Sequence, residues 1–370
     1  MNLNRELKRN KSKINKRIQL LLLATVTGML AIVFIAKPDI VMTSVRNATH
    51  LCADTVVPSL FPFLILSSFI VNAGLAQKSG KLLSPVTSFI FNLPGIAGTA
   101  ILMGLIGGFP VGPKMTSQLY EKGYISQNQA KTMMLFTINA GPAFVISTVG
   151  FSMFGSIQYG LLLYISMILS SMTIGIVVCG RLKESPTDVK PGSETANNLG
   201  EALCVSVNSG TSSIINICAF VILFAALTSA IGIFINNTQT INCITAILEV
   251  TRGCSTFAAE AHTLSSTVIL PLTAAVLSFS GICVHCQIFD CIRNVGLPYH
   301  RFLIWRGIGA ALAALYCRAG VLLFPEKYQV FSNMAESVNA EFSLSIATCA
   351  CMLFMSILLI LDLDIDEKLC

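Results

Sequence analysis

Apolar runs long enough to cross a bilayer recur along almost the whole chain, at residues 18–36, 56–76, 87–107, 132–154, 156–180, 212–235, 264–284, 302–324 and 343–361. A helix needs about 20 such residues to traverse the hydrocarbon core. Composition sharpens the argument. Of 370 residues, 54% are hydrophobic and 11% charged, whereas an average soluble domain carries roughly 25% charged residues. That is too little charge to clothe a soluble surface. The chain reads as an all-α polytopic integral membrane protein of about eight to ten membrane segments, some broken or re-entrant, with the lipid bilayer as its partner. Soluble enzymes and nucleic-acid binders are largely excluded.

The formal net charge of +6 does not overturn this, because it is concentrated at one end. Residues 1–17 hold seven basic side chains and one acid, Glu6, which leaves the rest of the chain close to neutral. A basic tail ahead of an apolar run marks a cytosolic N-terminus. Residues 18–36 run longer than a signal-peptide core, and Lys37-Pro38-Asp39 follows in place of a small-residue cleavage site. They read as an uncleaved first transmembrane helix. A membrane half then covers 54–180, a polar linker 181–203, a second membrane half 204–324, and a C-terminal transmembrane helix with an acidic tail 325–370.

The two halves suggest an internal repeat. A glycine ends an apolar run at Gly108 and again at Gly281, and the short amphipathic stretch that follows each ends at Gly123 and Gly296. The offset is 173 in both cases. Broken helices in corresponding positions of two halves, inverted repeats among them, point to a binding site near the membrane midplane.

Three motifs could carry chemistry. In Gly107-Gly108-Phe109-Pro110-Val111-Gly112-Pro113-Lys114, the glycines and prolines force the helix to unwind. Pro113 suits the first turn of a new helix over about 114–122, whose free N–H groups and adjacent Lys114 would attract a carboxylate. An ordinary interfacial loop, with Lys114 facing lipid headgroups, is the alternative. Asn139-Ala140-Gly141-Pro142 interrupts a second apolar run, so Asn139 either repairs the backbone or faces a polar substrate. In Glu249-Val250-Thr251-Arg252, acid and base three residues apart share one face of a continuous helix. They either neutralise each other, or Arg252 meets an anionic substrate while Glu249 orients it. Ser280-Gly281 marks the matching helix break of the second half.

Little here suggests an enzyme. The four histidines have no partners at catalytic spacing, and neither a nucleophile elbow, a zinc-protease helix nor a phosphate-binding loop is present. Cys283-Val284-His285-Cys286 has the spacing of half a zinc site, but no second pair completes it, and small packing residues explain it better. No catalytic residue, metal or cofactor is expected.

Gly107–Lys114 with the following Leu119-Tyr120-Glu121-Lys122-Gly123-Tyr124, then Asn139-Ala140-Gly141-Pro142, then Leu248-Glu249-Val250-Thr251, resembles the sporulation integral membrane proteins of the YlbJ (SpoVV) type. These carry the nucleoside-recognition, or Gate, domain. The resemblance covers about residues 54–320, departing at Pro113 and Gly141. It implies a transporter that passes dipicolinic acid across the outer forespore membrane during sporulation. A small aromatic dianion suits Lys114, Arg252 and Asn139 as substrate-binding residues. The Gate label makes a nucleoside carrier the rival. A membrane assembly factor that moves no solute is a third reading, and a homo-oligomer stays open.

Overall fold

The computed structural model describes residues 24–25, 27–28, 31–182, 198–235, 237–262 and 264–323. The basic tail, most of residues 18–30, the centre of the 181–203 linker, the helix expected at 343–361 and the acidic tail lie outside the described residues. Those described form helices joined by short breaks, and no strand occurs among them.

The first is a 35-residue rod, Pro38–Asn72. It comprises α1 (Pro38–Leu51), a π-turn (Cys52–Val56) and α2 (Val57–Asn72). Pro38 starts it, since the missing N–H of a first-turn proline costs nothing. Next come α3 (Leu75–Phe91) and α4 (Gly95–Ile106), which meet at 85°. Asn92, in the left-handed region at φ 49°, and Pro94 make that corner. Three short helices follow: α5 (Val111–Glu121), α6 (Gln127–Met133) and the π-type α7 (Ala143–Met153). A reciprocal capping box between Ser126 and Gln129 starts α6. Then α8 (Ile157–Cys179) spans.

The second half opens with the 36-residue α9 (Leu199–Phe234), capped by Asn198, whose side chain accepts the Glu201 N–H at 2.7 Å. After it come α10 (Thr238–Leu248), α11 (Val250–Ala259), a 3₁₀ turn (Glu260–His262), α12 (Ser266–Phe279), α13 (Gly281–Cys291) and α14 (Tyr299–Leu323).

Among the described residues, five helices are long and apolar enough to cross a membrane, six if the α3–α4 pair counts as one broken span. The apolar runs at 87–107 and 132–154 are each split by a break, so neither is a straight crossing. The run at 212–235 extends back to Leu199 and takes in the end of the expected linker. Spanning helices turn apolar rows outward. On α8 the row is Ile157, Leu161, Ile165 and Leu169, four residues apart, while Leu163, Met167, Ser170 and Ser171 are buried. An outward apolar row with small and polar residues inside suits a lipid environment.

Three groups of helices enclose the short ones. The α1–α2 rod lies along α9, α3 folds onto α4, and α8, α12 and α14 pack on one another. Buried between them are Leu64, Met115, Leu119, Met133, Phe136, Ile138 and Phe302, with Phe91 stacked on Phe136 at 5.4 Å between ring centroids.

Candidate functional site

The first break follows α4. The Gly107 N–H bonds to the Met103 carbonyl at 2.8 Å, then Gly108 turns the chain at φ +92°, a region open to glycine at little cost. The helix resumes at Val111 with Pro110 as its cap, three residues before the position expected from sequence. Pro113 is thus the third residue of α5, still in the first turn, where a proline breaks no hydrogen bond. This earlier start moves Lys114 one turn into the helix, away from the free N–H groups. Its ammonium donates to the Ser209 carbonyl at 2.8 Å and to the Ser213 hydroxyl, tying α5 to α9.

The second break, residues 134–142, lies directly against the first. Cβ atoms added at Gly104 and Gly112 would sit 2.4 and 2.3 Å from the Thr137 carbonyl oxygen, and Gly141 packs on the Gly108 backbone. Glycine is what lets these three backbones touch. Asn139 is 1% exposed. It donates to the Phe136 carbonyl at 3.3 Å and accepts from the Ser171 hydroxyl at 2.5 Å. That is the backbone-repair arrangement, with the amide turned to α8. Pro142 caps α7.

In the second half the chain breaks at Glu249 and again at Ser280-Gly281. Glu249 is extended (φ −142°, ψ 118°), so α10 and α11 are separate helices and the shared helical face expected for Glu249 and Arg252 does not form. Its carboxylate instead accepts the backbone N–H groups of Thr251 at 2.9 Å and Arg252 at 2.7 Å, capping α11. The Arg252 guanidinium reaches Ser44 on α1 at 3.0 Å. Ser280 and Gly281 both have positive φ (77° and 74°). A Cβ on Gly281 would lie 3.1 Å from the Val250 nitrogen and 3.2 Å from the Leu248 oxygen, so this break packs on the Glu249 break, as Gly108 packs on Gly141.

Three of the four breaks border one partly open cavity, and α13, which starts at the fourth, lines it as well. Gly108, Phe109, Gly141 and Phe144 line it from the first half, and Glu249, Val250, Thr251, Cys283 and Val284 from the second. Thr55, Ser59 and Gln287 add hydroxyl and amide groups. A neighbouring cavity shares Leu51, Val221, Glu249 and Thr251 with it and adds Arg252, Ser44 and Asn47. Of the four substrate-binding residues expected from sequence, the structure places Glu249 and Arg252 at the cavities, with Lys114 and Asn139 outside their linings.

Two residues that the sequence reading did not assign to the site, Arg306 and His285, hold the breaks in place. Arg306, 3% exposed on α14, donates to the Ile138 carbonyl at 3.0 Å, the Ser280 hydroxyl at 2.5 Å and the Ser278 carbonyl. His285 donates through Nε2 to the Phe279 carbonyl at 2.8 Å. Together they satisfy carbonyls that α12 leaves open at its C-terminal end. The signal for Arg306 was available as one of two arginines, with Arg318, inside the apolar run 302–324, since an ionisable group at membrane depth is rarely idle. His285 lay in the Cys283–Cys286 cluster. There it caps a helix among Phe279, Phe289, Tyr299 and Phe302.

The family model described as "Gate: Nucleoside recognition" matches residues 53–182, the segment that contains both first-half breaks. Over 344 residues, 83% of this chain and 83% of the relative, the sequence is 26% identical to the sporulation integral membrane protein YlbJ of Bacillus subtilis (strain 168). No solved structure matches. The chain is thus an integral membrane protein similar over most of its length to sporulation integral membrane protein YlbJ, and it carries the nucleoside-recognition Gate pattern in its first half.

Proposed function

We propose that this protein is a transporter that moves a small planar organic solute through the cavity that helix breaks of both halves border. One observation carries the reading: Gly108 packs on Gly141 in one half and Gly281 on Glu249 in the other, and one cavity is lined by Gly108 and Gly141 from the first half and by Glu249 and Cys283 from the second. Broken helices at membrane depth are tolerated where they border a cavity, and they are the usual site of solute binding in transporters built from two related halves. The repeat itself is part of the proposal. The glycines separated by 173 residues, Gly108 with Gly281 and Gly123 with Gly296, all adopt positive φ (92°, 74°, 72° and 69°), which favours a shared backbone path.

The solute we favour is dipicolinate. Phe109 and Phe144 offer apolar faces to a ring, and Arg252 in the adjoining chamber offers a cation to a carboxylate. Similarity to a sporulation integral membrane protein supports a role in spore formation; a cytosolic N-terminus, argued from the basic tail, and the outer forespore membrane as the site of action complete the proposal. A nucleoside is the second reading, favoured by the neutral groups Thr55, Ser59, Thr251 and Gln287 on the cavity wall and by the Gate match.

Uptake into proteoliposomes decides between them. Labelled dipicolinate and uridine are offered to the parent protein, to Arg252→Ala and to Ser59→Phe, which fills the cavity. Dipicolinate uptake that falls at least tenfold in both variants is the expected result. Uridine uptake that survives Arg252→Ala but not Ser59→Phe moves the assignment to the second reading. A parent protein that carries neither solute ends the transport proposal.

A further inference from the structure

The environment of Arg306 has the form of a cation site. Three oxygen acceptors converge on one buried positive group, and they come from opposite halves of the chain. Ile138 supplies a carbonyl from the 134–142 break, Ser278 a carbonyl from the last turn of α12, and Ser280 a hydroxyl from the next break. Carbonyls at a helix C-terminus carry the negative end of the helix dipole. Unwound carbonyls and half-helix C-terminal ends are the groups that hold sodium in many secondary transporters. Here the guanidinium holds them. Arg306 is 3% exposed and its Nε has no partner among the described residues, so these oxygens are the groups seen to hold its charge. The residues it grips are close in sequence to the cavity lining: Ile138 is three positions from Gly141, and Ser280 is three from Cys283.

We infer that the Arg306 guanidinium permanently fills a site that would otherwise take a monovalent cation, fixing the two halves' breaks against each other without a bound ion. Resting on the transport reading, this adds that solute moves through the cavity without a sodium requirement. Arg306 acts through the breaks it positions and does not touch the solute.

The binding part is testable without transport. Trp305, the chain's single tryptophan, adjoins Arg306, so its fluorescence follows unfolding in detergent. Arg306→Ala is expected to lower the melting temperature by about 5 °C or more. Millimolar guanidinium, with urea as the neutral control, should restore at least half of that loss in the variant and leave the parent unchanged. Arg306→Lys, which keeps the charge, should melt between parent and alanine variant and ignore guanidinium. Arg306→Met melting with the parent would overturn the inference, as would guanidinium acting equally on parent and alanine variant. Should the alanine variant fail to fold, the lysine and methionine variants decide alone: equal losses in both would show that charge is not the reason. The transport part is read from uptake in sodium or choline buffers. Equal rates within twofold are expected for the parent, and a rate at least tenfold higher in sodium overturns this part. An absence of uptake in both buffers counts against the transport reading and leaves the guanidinium result standing.

Discussion

Gly112 is where the packing of the first half is least forgiving, and Gly112→Ala turns that into a number. The added Cβ would lie 2.3 Å from the Thr137 oxygen and 2.7 Å from the Gly104 Cα. Favourable contact lies near 3.5 Å, so the backbones must part by about 1 Å. Neither neighbour is a flexible side chain. Thr137 is itself anchored, with its N–H and its hydroxyl both bonded to the Met133 carbonyl at 3.0 and 2.9 Å. Forcing a methyl into a rigid, filled space costs about 1–3 kcal/mol, and an immovable carbonyl puts this case at the upper end. At about 1–2 °C per kcal/mol for a chain of 370 residues, the melting temperature should fall by about 3–6 °C. Gly307→Ala is the control. It lies inside α14 with nothing within 4 Å of the added atom, so it should stabilise by about 0.5–1 kcal/mol through the ordinary helix preference for alanine. Both are read by tryptophan fluorescence in detergent. A Gly112→Ala protein melting within about 1 °C of the parent, on the same scale, would refute the claim that direct backbone contact between breaks sets this architecture.

Other outcomes follow from the same geometry. Lys114→Met should cost about 1–3 kcal/mol by removing the two charge-assisted bonds that tie α5 to α9, the Ser213 hydroxyl keeping its own bond to the Ser209 carbonyl at 3.0 Å, while uptake per folded molecule stays within twofold; a larger loss of uptake at equal folding would return Lys114 to the solute path. In a double-mutant cycle, Asn139→Ala and Ser171→Ala should show a coupling of about 1–2 kcal/mol, since each holds the other, and additive losses would contradict that bond. Glu249→Gln keeps one acceptor oxygen for two N–H groups and should lose about 1 kcal/mol of the cap on α11, with lower uptake measured beside it. Unchanged stability would mean that the carboxylate is not needed at that helix end.

The helix breaks were legible because glycine and proline act locally. Gly107 to Pro113 and Gly141-Pro142 interrupt their runs wherever they are placed, and left-handed turns at Gly108 and Gly281 follow from the absence of a Cβ. The start of α5 was misplaced by three residues because two prolines competed for the first turn, and local preference does not choose between Pro110 and Pro113. Glu249 and Arg252 were recognised, but their pairing assumed a continuous helix; the extended backbone at Glu249 sends its carboxylate to the N–H groups ahead of it. What could not be read was the partner of each long side chain. Lys114 finds acceptors 95 and 99 residues away, and Arg306 reaches a carbonyl 168 residues back. Those distances are set by packing, and no local pattern encodes them.

The length of α9 makes it a ruler for depth. Thirty-six residues at about 1.5 Å each give a rod of about 54 Å. Even leaning at about 40° it rises about 41 Å, more than the roughly 30 Å of hydrocarbon it has to cross. One end therefore stands among the headgroups. Counted back from Phe234, Val221 on the cavity wall lies about 20 Å along the rod and Ser213 about 31 Å. The lysine seated on Ser213 accordingly belongs near the water edge, where an ammonium is tolerated, and the solute cavity lies deeper. In a thicker bilayer the rod would stand more upright and carry Ile217 and Val221 with it, so the width of the cavity becomes a property of the lipid as well as of the chain.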